Sequence, residues 1–248
     1  MSKSIVIIGG HGRVALRLAR LLSPAHRITS VIRSESEDQA KDIVDAGATP
    51  VILSLEEASS EDYTKLFTEK SADFVVFAAG SGFRAPEERV KKVEYEGCIK
   101  IFDAIERVEE SKRPRLAVVS ALDIRSPDKI PEHYNDEDKK QSERVRQLMP
   151  NYIHWRYEAD KNLVARTAFK WTILRPGGLT DQPGVEKLSL GKAHLSVLTS
   201  RDDLAQLLAT VLDRPDAAGF AIDTVGGEIP IPESLDAYIE RGETDWIG

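Results

Sequence analysis

Ser4-Ile5-Val6-Ile7-Ile8-Gly9-Gly10-His11-Gly12-Arg13-Val14-Ala15 is the stretch that decides how this chain reads. The first five residues form a short apolar run, a buried strand that stops at paired glycines. From Arg13 to Leu22 the pattern changes, and Val14, Leu18, Leu21 and Leu22 fall on one helical face. The glycines between them can be read as Gly10-x-Gly12-x-x-Ala15 or as Gly9-x-x-Gly12-x-x-Ala15. Small residues at such a junction allow a tight turn, let the backbone approach a pyrophosphate, and let helix and strand pack closely. The helix N-terminus then offers free N–H groups and a partial positive charge to phosphates.

Working outward, the same alternation repeats. Residues 28–32 read as a second strand and 36–46 as a polar helix closed by Gly47. A third strand opens at Pro50 and runs to Leu53, and 74–79 is a fourth, apolar throughout and so central. A long helix over about 86–110, a strand at 116–119, a helix at about 151–167 and a strand at 171–174 follow. Residues 123–140 read as a charged surface loop running into a polar helix, and 176–192 as a long glycine-containing loop. Ser200 caps a helix ending at Leu212, with Asp202 and Asp203 in the first turn where the helix dipole favours them. A short strand near 220–225 and a helix from about Pro232 close the chain. Strands apolar on both faces and alternating with helices imply an α/β architecture, a parallel sheet covered on both sides. The pattern reads as one domain over 1–248, with residues 176–248 as a C-terminal elaboration.

Composition narrows the function classes. The 248 residues carry 34 Lys+Arg against 41 Asp+Glu, a net charge of −7, which disfavours a non-specific nucleic-acid or anionic-membrane binder. The lone cysteine, Cys98, excludes an internal disulfide framework and any multi-cysteine metal site, and it reads as a buried thiol rather than a nucleophile. None of the five histidines forms a His-x-His or His-x-x-x-His pair, so no metal is expected. No run approaches the ~20 apolar residues of a membrane span. The apolar run at 5–8 is too short for a secretion signal, so the expected location is cytoplasmic.

The end of the second strand is where a dinucleotide site chooses its cofactor. A carboxylate there bonds the ribose 2′-hydroxyl, whereas a cation accepts a 2′-phosphate. Here stand Arg33 and Ser34, with Arg13 in the glycine loop close enough to assist, so the reading is NADP rather than NAD.

Together these residues resemble the atypical short-chain dehydrogenases/reductases. The glycine loop is similar to the family's Gly-Ala-Thr-Gly-x-x-Gly. Val31-Ile32-Arg33, Ala78-Ala79-Gly80-Ser81-Gly82, Glu94-Tyr95-Glu96-Gly97-Cys98, Val118-Val119-Ser120-Ala121 and Leu174-Arg175-Pro176-Gly177-Gly178-Leu179 follow in family order. The likeness extends to about residue 240 and is nearest to the small NmrA-like and biliverdin/flavin reductase-like proteins. It implies a Rossmann-type doubly wound sheet with a small C-terminal substrate region. It also implies that Gly9, Gly10, His11, Gly12, Arg13 and Val14 form the pyrophosphate side and that Arg33 and Ser34 receive the 2′-phosphate. Ala79, Gly80 and Ser81 would line the adenosine side, with Ser120, Ala121, Pro176, Gly177 and Gly178 near the nicotinamide.

In that family a Tyr-x-x-x-Lys pair transfers the proton, and two frames offer it here. Tyr157 and Lys161 fit the letters. Tyr152 and Arg156 fit the frame and share a helix face with Ala159 and Leu163, an apolar seam suited to packing on a sheet. Positions 152 and 157 differ by about 140° around a helix, so both pairs cannot face one ligand. The second frame is favoured, although Arg is not a conservative replacement for Lys. His11 and Ala15 stand where the family has Thr or Ser and Gly, and Leu53-Ser54-Leu55 lacks the carboxylate often placed near adenine. The resemblance thus implies an NADPH-dependent reductase of a small carbonyl, quinone or flavin-like acceptor, with Tyr152 as proton donor, Arg156 as its orienter and Ser120 as a polar partner. The alternative is a non-catalytic NADP sensor of NmrA-like type that acts on a protein partner. Loops at 81–88, 123–135 and 179–197 would shape the substrate site.

Overall fold

The computed structural model describes residues 2–34, 36–82 and 84–248. Glu35 and, within the 81–88 loop, Phe83 lie outside the described residues. The glycine-flanked opening run forms β1 (Ser4–Ile8), buried at every position, and leads into α1 (Arg13–Leu22). Then come β2 (Arg27–Ile32), α2 (Glu37–Asp45), β3 (Thr49–Ile52), α3 (Ser60–Glu69) and β4 (Phe74–Phe77). A short α4 (Glu87–Val90) runs through a π-helical segment, Lys91–Glu96, into α5 (Gly97–Arg107), followed by β5 (Arg115–Val119). The second half holds α6 (Asp136–Leu148), α7 (Pro150–Val164), β6 (Trp171–Pro176), β7 (Leu179–Thr180), β8 (Lys187–Leu190), β9 (Thr199–Ser200), α8 (Arg201–Leu212), β10 (Ala221–Pro230) and α9 (Ile231–Arg241).

Eight strands form one sheet in the order β3-β2-β1-β4-β5-β6-β10-β8. Neighbours are parallel except β8, which runs antiparallel to β10. The order reverses between β1 and β4, as in the Rossmann-type α/β fold, and a crevice opens outside the strand ends at such a reversal. Side chains alternate between two cores. Ile5, Ile7, Phe74, Val76 and Leu174 pack with α1, α8 and α9, while Val6, Ile8, Val75, Phe77 and Ile173 pack with α3, α5 and α7. Both faces are therefore dry, which is why these strands read as unbroken apolar runs.

Three expectations change. The helix α3 was not foreseen, although Ser59 and Asp62 close a capping box on it, with Asp62 N donating to Ser59 Oγ at 3.2 Å and Ser59 N to Asp62 Oδ2 at 2.9 Å. The 86–110 helix is interrupted by the π-helical segment, a feature frequent at functional sites. The 176–192 loop contains β7 and β8, and β10 is ten residues long rather than six, because β8 and β10 extend the main sheet by two strands. The cap at Ser200 is as expected, with Asp202 N donating to its Oγ at 3.1 Å.

Candidate functional site

The glycine loop is shaped by sterics. Gly9 sits at φ +82°, and a Cβ there would lie 2.6 Å from Ala79 Cα; at Gly10 it would lie 2.4 Å from Ser30 Cβ. Neither position admits a side chain. Gly9 and Gly10 both donate their N–H to Val31 O, at 3.1 and 2.9 Å, and Gly12 donates to Gly9 O at 2.9 Å. The first bond of α1 runs from Leu16 N to Gly12 O. The N–H groups of Arg13, Val14 and Ala15 precede that bond and can serve an anion, at a helix start with neither a side-chain cap nor an acidic residue in its first turn. The Val14 side chain is buried, so its contribution is its backbone.

A cleft of about 370 Å³ runs from this loop across the ends of β1, β2 and β4. Gly9, His11, Gly12, Arg33, Ala79, Gly80 and Ser81 all line it, as do Leu53 and Leu55 at the end of β3 and, beyond the expected residues, Gln39, Glu56 and Arg89. Arg33 is exposed at the β2 end, and Ser34 beside it is exposed as well. The structure gives two expected phosphate ligands other partners. His11 Nε2 lies 2.8 Å from Asp42 Oδ2 in α2, and Arg13 Nη1 lies 2.7 Å from Asp181 Oδ2, turned toward the segment after β7 instead of toward Arg33.

A second cavity of about 420 Å³ adjoins it at Gly80 and Ser81 and is lined further by Glu94, Ala121, Asn151 and Tyr152. Tyr152 is half-buried there. The other frame points elsewhere: the Tyr157 ring stacks on Trp246 at 5.7 Å with planes 16° apart, and Lys161 Nζ lies over the Tyr157 ring. The π-helical segment brings Glu94 inward, where Ser81 donates to its Oε1 through both N and Oγ, at 2.7 and 2.8 Å.

Arg156, 1% exposed, is held on every side. It stands 3.5 Å from Glu94 Oε2, 3.3 Å from Cys98 Sγ, 3.3 Å from Ser120 Oγ and 3.7 Å from Asp160 Oδ1, and it donates to Val119 O. Ser120 donates its hydroxyl to Asp160 Oδ2 at 2.5 Å, so it is turned into this network beneath the cleft. Burial would lower the proton affinity of the guanidinium, but Cys98, Asp160 and Glu94 more than offset it and hold the charge. Burial raises the pKa of Asp160 against the pull of Arg156 and pushes the Cys98 thiol up to about 12, so Cys98 is inert as a nucleophile. Burial and then the Glu94 carboxylate raise the pKa of Tyr152, with Arg156 opposing. Pro176, Gly177 and Gly178 follow β6, where a Cβ on Gly177 would meet Val197 O at 2.6 Å, so the 197–199 segment rests directly on them.

Glu94, Asp160 and Asp181 are the site residues that reasoning from sequence missed. Glu94 and Asp160 had a signal: each is a carboxylate beside apolar inward positions, Val93 in the π-helical segment and Ala159 and Leu163 in α7, and Asp160 lies four residues after Arg156. Asp181 had none, since its partners are set by tertiary structure.

The strand order and the side-chain-free glycine cradle define a dinucleotide-binding protein. The family of NAD(P)H-binding proteins matches residues 9–215, and the chain belongs to it. Among relatives, the chain is 34% identical over 245 residues, 97% of each chain, to UPF0659 protein C216.03 of Schizosaccharomyces pombe. It is 32% identical to the Bacillus subtilis protein named uncharacterized sugar epimerase YhfK, over 93% of this chain and 98% of that one. Among solved structures, a candidate NAD-dependent epimerase/dehydratase of Bacillus halodurans superposes with a TM-score of 0.76 at 25% identity, covering 94% of this chain and 98% of that chain.

Proposed function

We propose that the protein is an NADPH-dependent reductase of a small carbonyl, quinone or flavin-like acceptor bound in the Tyr152 cavity. The observation that carries this reading is the junction of the two clefts at Gly80 and Ser81, with half-buried Tyr152 lining the second, so that a dinucleotide lying along the first would run toward that tyrosine. Arg33 is the residue that would hold a 2′-phosphate, and the first-turn N–H groups of α1 would hold the pyrophosphate. Bound NADPH supplies a hydride. The protein's part is to hold the acceptor oxygen against Tyr152 and to supply a proton there. A tyrosine whose pKa is raised keeps its proton at neutral pH, which suits donation to a developing alkoxide better than removal of a proton from an alcohol.

One observation favours a second reading, a non-catalytic NADP sensor that signals to a protein partner. The Arg156 guanidinium is engaged by Glu94, Asp160, Ser120 and Val119 O, and its pull on the Tyr152 pKa does not offset burial and the Glu94 carboxylate, which raise it. NADPH consumption measured against a panel of carbonyls, quinones and flavins separates the two. The reductase reading predicts turnover with at least one acceptor and a loss of 10²-fold or more, the usual order for a general acid, in Tyr152→Phe. Binding without turnover across the panel would leave the sensor. An epimerase, as the Bacillus subtilis relative is named, would interconvert its substrate without net consumption.

A further inference from the structure

We propose that Asp181 is an internal anion that competes with the cofactor's pyrophosphate for Arg13, and so sets how tightly the dinucleotide is held and how fast it leaves. The proposal rests on dinucleotide binding at the glycine loop.

Three arginines converge on this one carboxylate. Arg13 Nη1 lies 2.7 Å from Oδ2, while Arg201 Nη1 and Arg17 Nη2 lie 3.1 and 3.4 Å from Oδ1. Their situations differ. Arg17 is 27% exposed and also bound to Asp202, and Arg201 is 19% exposed. Arg13 is 70% exposed and follows Gly12 directly, so it is the member of the trio that belongs to the anion-binding loop. Its backbone N–H is one of the three that face the anion position at the start of α1, which puts its guanidinium within a side chain's reach of two anions. Asp181 holds it when the loop is empty, and the pyrophosphate draws it when the dinucleotide arrives. Asp181 is not left bare by this exchange, because Arg17 and Arg201 stay on its other oxygen.

The segment carrying Asp181 is tied down without it. Gly184 N donates to Asp202 Oδ2 at 3.1 Å, Val185 N and Glu186 N donate to Asp203 Oδ1 at 2.9 and 2.7 Å, and Ser200 Oγ donates to Gln182 O at 3.0 Å. Neutralising Asp181 therefore removes a charge and leaves the segment where it is. Since this segment follows β6 and β7, the contact also joins the glycine loop to the chain that leaves the C-terminal end of β6.

The test is NADPH titration by fluorescence, with dissociation followed by stopped flow, on the wild type, Asp181→Asn, Arg13→Ala and the double variant. An exposed ion pair is weak, so Asp181→Asn should tighten binding about two- to fivefold at low salt, through slower dissociation. The gain should fade in about 0.5 M salt, where the screening length is only a few ångströms. It should vanish in the Arg13→Ala background, because the competition is for Arg13. Asp181→Ser should behave like Asp181→Asn. Unchanged or weaker binding by Asp181→Asn, or tightening that persists without Arg13, would overturn the proposal while leaving the cofactor reading intact. A wild-type protein that binds neither NADPH nor NADH would overturn both.

Discussion

Replacing Arg156 with methionine probes the buried charge network under the site. Methionine fills a similar volume but leaves Glu94 and Asp160, 2% and 1% exposed, without their cation. It also removes the donor to Val119 O. Removing one partner from a buried ion pair costs about 3–5 kcal/mol, because the remaining charge is stranded in a poorly solvating interior. For a chain of this size each kcal/mol moves the melting temperature by about 2 °C, so the expected drop is about 6–10 °C at pH 8. The loss should depend on pH in a particular direction. Burial already raises the folded-state pKa of Asp160 above its unfolded one, and without Arg156 the charge that opposes this rise is gone. Such a group favours the folded state fully below the unfolded pKa, and that support is lost as pH rises through the folded pKa. The gap between variant and wild type should therefore narrow as pH falls from 8 to 5. Adding Glu94→Gln, which keeps an acceptor for Ser81, should restore part of the loss, giving a coupling of about 1 kcal/mol or more in a double-mutant cycle. Urea denaturation at each pH measures all of this. A variant within about 1 kcal/mol of wild type at pH 8 would refute the argument, as would a gap that does not move with pH.

The other expectations test the cradle and a second buried ion pair. Gly10→Ala would push a Cβ to 2.4 Å from Ser30 Cβ and 2.7 Å from Ser30 Cα, where β2 cannot give way, so stability should fall by about 1–3 kcal/mol and NADPH affinity by tenfold or more. Thermal melts and fluorescence titration check both, and wild-type binding by this variant would contradict the steric reading. Asp223, 3% exposed and 2.9 Å from Arg175 Nε, has its pKa pushed up to about 7, by burial first and against the pull of Arg175. Its raised folded pKa gives support that is lost as pH rises through about 7, so wild-type stability should decline between pH 5 and 8. Asp223→Asn should flatten that decline in urea midpoints.

Much of the architecture was legible because buried parallel strands must be apolar on both faces, and the runs at 4–8 and 74–77 leave no other reading. The glycine loop was legible for a related reason, since its backbone path excludes Cβ atoms at Gly9 and Gly10. What escaped depends on distance in sequence. The strand β8 is short and mixed, and it forms because β10 offers it an antiparallel edge. The capping box at Ser59 and Asp62 is local, three residues apart, and so is a signal the sequence itself carries. In the site, the choice between the Tyr152 and Tyr157 frames rested on which helix face carries Ala159 and Leu163, both of which are buried against the sheet. Position in the loop makes Arg13 a helper of Arg33, but its partner Asp181 lies 168 residues away, beyond any local pattern.

The central claim is that the glycine-loop cleft takes NADP(H) with Arg33 on the 2′-phosphate. Parallel fluorescence titrations of NADPH and NADH into the wild type and Arg33→Ala test it most directly. Hydrogen bonds to a charged group contribute about 1.5–3 kcal/mol, so the wild type should prefer NADPH by about 10-fold to 150-fold. Arg33→Ala should lose that preference while its NADH affinity stays unchanged. Equal or tighter binding of NADH by the wild type, or a preference that survives the loss of Arg33, would contradict it.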